Sequence, residues 1–136
     1  MRDFKTAYFF LRLPIALSLA GHGLVRLPKL HAFSDWMVKT MEKSVIPDLL
    51  IIPFSYLLPV AEAVIGIFLL AGFKNKLTIY SGLTLMSILV LGSCSIENWS
   101  AVESQLLHSA YLAGLFWFFS RYADDKSDPK ISASSY

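Results

Sequence analysis

Residues 49–73 read LLIIPFSYLLPVAEAVIGIFLLAGF, an apolar stretch with one charge, Glu62, near its middle. About 20 such residues cross the hydrocarbon core of a bilayer as a helix, so the stretch is read as a membrane span. A carboxylate at the centre of a span costs at least ~3 kcal/mol on insertion scales. Glu62 must therefore face other helices and find a partner there, and the remaining chain has to supply both.

Composition agrees with that environment. Only 16% of the 136 residues are charged and 55% are hydrophobic, whereas soluble domains carry roughly 25% charged residues. The net charge of +2 comes from scattered cations without a dense basic block, which argues against a nucleic-acid partner and for a lipid bilayer. The single cysteine, Cys94, excludes an internal disulfide or dithiol relay.

Three further apolar runs, residues 7–25, 77–96 and 101–120, accompany the run at 49–73. The expected fold is an all-α membrane protein, a four-transmembrane-helix bundle occupying residues 1–123. Arg12 interrupts the first run as a secretory h-region, so it is read as a retained span. Pro14 is expected to kink it mildly, with neighbouring groups satisfying the freed carbonyl. Between spans one and two, Phe33, Trp36, Met37, Thr40, Met41 and Val45 follow helical spacing, which predicts an amphipathic interfacial helix over residues 34–45 capped by Ser34. The turn at 74–76 sends the third span back antiparallel, and Ser81, Gly82, Thr84, Ser87, Gly92, Ser93 and Ser95 along it suggest close helix packing. Ala110 and Gly114 form a small-xxx-small pair in the fourth. Residues 124–136 are polar and are expected to be disordered.

Four spans place Arg2, Lys5, Lys74, Lys76, Arg121, Lys126 and Lys130 on one side and Arg26, Lys29, Lys39 and Lys43 on the other. The positive-inside rule then assigns a multi-pass protein of the cell (inner) membrane with both termini in the cytoplasm. At about 1.5 Å of rise per residue, Arg12, Glu62, His108, His22 and Gln105 form a polar ladder from the inner half of the bundle to its outer end. Arg12 is expected to pair with Glu62. His22 and His108 are expected to converge if spans one and four are neighbours. These five are the candidate site residues; helix pinning by an ion pair is the plain alternative to a ligand, proton or quinone site. Two histidines on distant helices are not a metal-ligand spacing, so no metal is predicted.

Arg12-Leu13, His22-Gly23-Leu24-Val25-Arg26-Leu27 and Glu62-x-x-x-Gly66-x-x-Leu69-x-x-Gly72 resemble the DoxX family of small four-helix membrane proteins. The resemblance covers roughly residues 10–73; beyond them it rests on hydropathy. The chain departs from the pattern at Arg26, where lysine is usual, at Ala16, where glycine is common, and in lacking a glycine-rich ending. The resemblance implies a membrane subunit or accessory component of a quinone-linked redox complex, with a partner subunit and a quinone as cofactor. It carries over to Arg12, His22 and Glu62. The alternative is a non-catalytic membrane scaffold or assembly factor. No nucleophile constellation or cofactor fingerprint assigns a catalytic residue.

Overall fold

The computed structural model of the protein describes residues 2–124. The regular elements among them are α1 (Arg2–Arg26), a 3-10 turn (Leu27–Lys29), α2 (Leu30–Thr40), α3 (Asp48–Ala71), α4 (Asn75–Ser95) and α5 (Trp99–Asp124), with no strand among the described residues. Three helical stretches are long and apolar enough to cross a membrane: one within residues 3–40, α3 and α4. α5 is as long, 26 residues, but Glu103, Ser104, Gln105, His108 and Ser109 dilute its first half. The tail expected to be disordered lies outside the described residues apart from Asp124, which ends α5.

α1 packs most extensively on α3 and α4 on α5, while α3 against α4 and α1 against α5 close the ring. The α1–α3 contact is made by small side chains at helical spacing. Ala16, Ala20 and Gly23 on α1 are buried, as are Pro59, Ala63 and Gly66 on α3. A Cβ at Gly23 would overlap the Ala63 backbone nitrogen, and one at Gly66 would overlap that of Ala20. Without a hydrophobic force between helices in lipid, such close backbone approach supplies the packing energy. The pairings of Gly23 with Ala63, Gly66 with Ala20 and Arg12 with Leu70 run in opposite directions along the two chains, so α1 and α3 are antiparallel.

Large apolar side chains cover the outside. Phe10, Leu17, Leu57, Leu91, Leu107 and Trp117 are all more than half exposed, an inversion of a soluble surface that suits lipid. The hydroxyls of α4 split from the expected packing role. Ser81, Thr84 and Ser87 lie on the exposed face, and each donates to the carbonyl four residues back, at 2.9, 2.9 and 2.8 Å. A hydroxyl that bonds its own helix is satisfied without a neighbour, so it is tolerated facing lipid. Gly82 does pack, against Leu112 of α5. Ala110 and Gly114 are exposed, with no atom near a Cβ built at Gly114, so this small pair makes no contact within the chain.

The helix ends explain the tight turns. α3 closes with paired bonds from Phe73 N to Phe68 O and from Gly72 N to Leu69 O, at 3.0 and 3.2 Å. Gly72 sits at φ +70°, the left-handed conformation this C-terminal motif needs. Arg12 Nη2 donates to the Leu70 carbonyl at 3.2 Å, placing a cation at the negative end of α3. Asn98 caps α5, its Oδ1 accepting from Ala101 N at 3.3 Å. Near Pro14, Tyr111 Oη donates to the Leu11 carbonyl at 2.7 Å, next to the carbonyl that the proline leaves without its intrahelical donor.

α2 begins four residues before the expected start and ends at Thr40, because Pro28 turns the chain directly from α1 into it. Ser34 therefore lies inside the helix and does not cap it. It is buried and shares a 2.6 Å hydrogen bond with Ser55 of α3. Met41 lies against Gly92 and Ser44 Oγ bonds Ser95 Oγ at 2.7 Å, so this segment reaches from α3 to the C-terminal end of α4.

Candidate functional site

The partner of Glu62 is Arg26. Its Nη1 donates to Glu62 Oε2 at 2.7 Å, with Glu62 only 5% exposed. Arg26 is held from its other side by the Phe33 ring, 4.7 Å from the guanidinium carbon. The expected Arg12–Glu62 pair does not form. The small-residue seam sets a register in which Gly23 lies beside Ala63, so Glu62 is level with the last turn of α1. Arg12 sits roughly 21 Å away along the axis, at about 1.5 Å per residue from Arg26. It faces the end of α3 and lies 5.3 Å from the centres of both the Tyr8 and Phe9 rings. Its Nε is buried without a hydrogen bond.

His22 and His108 do come together. Their ring centroids are 6.1 Å apart at an interplanar angle of 62°. Ser18 lies between them: its Oγ is 3.0 Å from His108 Nε2 and 3.5 Å from His22 Nδ1. His108 Nδ1 is 2.8 Å from the Ser104 carbonyl oxygen. Gln105 turns towards α4, donating from Nε2 to Ser93 Oγ at 2.9 Å, and its Oε1 is buried without a donor.

These groups border a cavity of about 230 Å³. α1 contributes Leu19, His22 and Arg26; α3 contributes Leu58 and Glu62; α4 contributes Met86, Leu89 and Ser93; α5 contributes Ser104, Gln105 and His108. Phe33, Trp36, Met37 and Thr40 of α2 and the adjoining Met41 form an apolar wall over it. Four of the five candidate residues thus share one cavity, and Arg12 lies outside it. No three His, Cys, Asp or Glu side chains converge among the described residues as a metal ion would require.

Arg26 and Ser18 were not among the expected site residues. Both stand four residues from His22, one turn to either side, and share its helix face. That spacing is visible in the sequence. Arg26 was counted among the cations on one side of the spans, and Ser18 was given no role in the site. No family model, curated protein or solved structure matches this chain.

Proposed function

We propose that the protein is a DoxX-like four-span membrane protein whose cavity holds the headgroup of a quinone-class lipid, as a membrane subunit or accessory component of a redox complex. The observation that carries this reading is the convergence of His22 and His108 on a cavity that also contains the Arg26–Glu62 pair. The pair neutralises itself, so the site suits an uncharged ligand recognised by hydrogen bonds. The lining combines apolar and aromatic side chains, Phe33, Trp36 and Leu58 among them, with convergent polar groups, as small-molecule sites do. At about 230 Å³ the cavity is smaller than the ~300–1,000 Å³ typical of sites that enclose a drug-sized ligand. One ring fits inside while an attached tail stays in the bilayer.

The test uses the purified full chain in lipid nanodiscs and a short-chain benzoquinone, followed by tryptophan fluorescence. Saturable quenching is expected, and its saturable component should be lost in Trp36→Phe, which removes the reporter in the cavity wall. Quenching that rises linearly with quinone and is the same in both proteins would mean simple partitioning into lipid and would overturn the reading. A second reading, a scaffold without a ligand, is favoured by one feature: the Arg26–Glu62 pair crosses from α1 to α3 beside the Gly23–Ala63 contact and serves packing there. It gains if no quinone binds.

A further inference from the structure

We infer that the His22 end of the cavity accepts a hydrogen bond from its ligand, so that a quinol or other phenolic hydroxyl is taken there in preference to a quinone carbonyl. The inference rests on the pocket reading above and specifies which form of ligand the pocket selects. It follows from the direction of one hydrogen-bond chain. The Ser104 carbonyl oxygen can only accept, so His108 Nδ1, 2.8 Å away, must carry a proton. A neutral imidazole has one N–H, so His108 Nε2 is an acceptor, and the Ser18 hydroxyl 3.0 Å away donates to it. Ser18 has then used its only proton. Its remaining lone pairs can only accept, and the group facing them is His22 Nδ1 at 3.5 Å, a long contact that is favourable only if Nδ1 carries the proton. In the neutral ring this leaves His22 Nε2 as an acceptor.

Both nitrogens of His108 are therefore engaged within the protein, whereas His22 Nε2 has no hydrogen-bond partner among the described residues. The imidazole group left for a ligand in this cavity is an acceptor on His22, and His108 acts behind it, through Ser18, as a positioning residue. The other ionisable pair bordering the cavity is Arg26 and Glu62, joined by one hydrogen bond at 2.7 Å, so the acceptor argument applies to the His22 end of the cavity and not to the whole lining. The cavity-lining residues of α2 and α4 include no titratable group. A carbonyl oxygen placed on His22 Nε2 would set two acceptors against each other, and a site built to bond one partner rejects the analogue that lacks it.

Two measurements on the full chain in nanodiscs at about pH 8.5, where an ordinary imidazole is neutral, test this. First, nitrogen-15 spectra of the histidines without ligand should show both His22 and His108 protonated on Nδ1. Ser18→Ala should release His22 to a mixture of tautomers while His108 keeps its Nδ1 proton; Ser18→Thr should behave as the parent. A proton on Nε2 of either ring in the parent, or no change in Ser18→Ala, overturns the inference. Second, a short-chain benzoquinol, kept reduced without oxygen, should bind at least tenfold more tightly than its quinone and its dimethyl ether, and Ser18→Ala should erase most of that preference. Equal binding of all three overturns this inference alone. Binding by none of them overturns the pocket reading and this inference with it.

Discussion

Glu62 and Arg26 differ in how much each depends on the other. Glu62 is buried between α1 and α3, whereas 27% of the Arg26 side chain is exposed, within reach of water or a headgroup. Removing one member of a buried pair costs about 3–5 kcal/mol because the other is left unmatched. Arg26→Gln strands the buried carboxylate and is expected to fall in that range. Glu62→Gln leaves a long cation free to extend outward and should cost less. The double variant should cost less than the sum of the singles, a coupling of about 1–3 kcal/mol in denaturant unfolding from mild detergent. Arg12→Gln should add to Glu62→Gln without coupling, since the two side chains share no partner. A coupling between Arg12 and Glu62 as large as that of Arg26 would contradict the register. That a carboxylate in this position needs a cation was legible from residue 62 and its surroundings. Which cation was not, because matching depths from span centres assumed that α1 and α3 are aligned middle to middle. The seam of Ala16, Ala20 and Gly23 against Pro59, Ala63 and Gly66 offsets them instead, and it brings the end of α1 to Glu62.

At the level of helices, that seam is the structural commitment of the fold. Gly23 and Gly66 are places where a methyl group would land on the backbone of the opposing helix, which cannot yield as a side-chain tip can. Gly23→Ala and Gly66→Ala should each lower stability by about 1–3 kcal/mol, the usual range for overpacking. Gly114→Ala meets nothing within 4 Å and should be neutral or slightly stabilising through helix propensity. Thermal unfolding of the three variants in one detergent would check the ordering; a Gly114 variant as damaged as the Gly23 variant would refute it. Small residues in sequence mark candidate contacts but do not say which are used. Ala110 and Gly114 have the same spacing signal as Ala16 and Ala20, yet the first pair is exposed and the second buried. The difference lies in which face the whole arrangement turns inward. On α2 the amphipathic pattern identified the helix but not its start. Pro28 stands in a 3-10 turn that carries the chain from α1 straight into α2, which puts the helix start at Leu30 and moves Ser34 from cap to interior.

For the whole molecule the open question is how many times the chain crosses the bilayer, and α5 decides it. Three spans put the two termini on opposite sides; four put them on the same side. The first half of α5 carries Glu103, Gln105 and His108, which weaken its hydropathy; Gln105 and His108 share a face turned to the other helices, whereas Glu103, four residues from the N-terminal end, is exposed. Gln105 is bonded to Ser93 of α4, His108 to Ser18 of α1, and Leu112 and Leu115 are buried in the core. Leu106, Leu107 and Trp117 face outward and are more than half exposed. With Gln105 and His108 bonded to neighbouring helices, the outer face beyond Glu103 presents lipid with the apolar surface of a span. At about 1.5 Å per residue, its 26 residues reach roughly 39 Å, longer than the ~30 Å hydrocarbon core. α5 also contacts both α1 and α4, so its leaving the membrane would leave Ser18 and Ser93 in hydrocarbon without their His108 and Gln105 partners. We therefore expect four crossings with both termini cytoplasmic. Reporter fusions after Asn75 and after Tyr136 should both read as cytoplasmic. A fusion after Tyr136 that reads as exported, with the Asn75 fusion still cytoplasmic, would leave α5 out of the bilayer. The wall that supplies His108 to the cavity would then have to be assembled outside it.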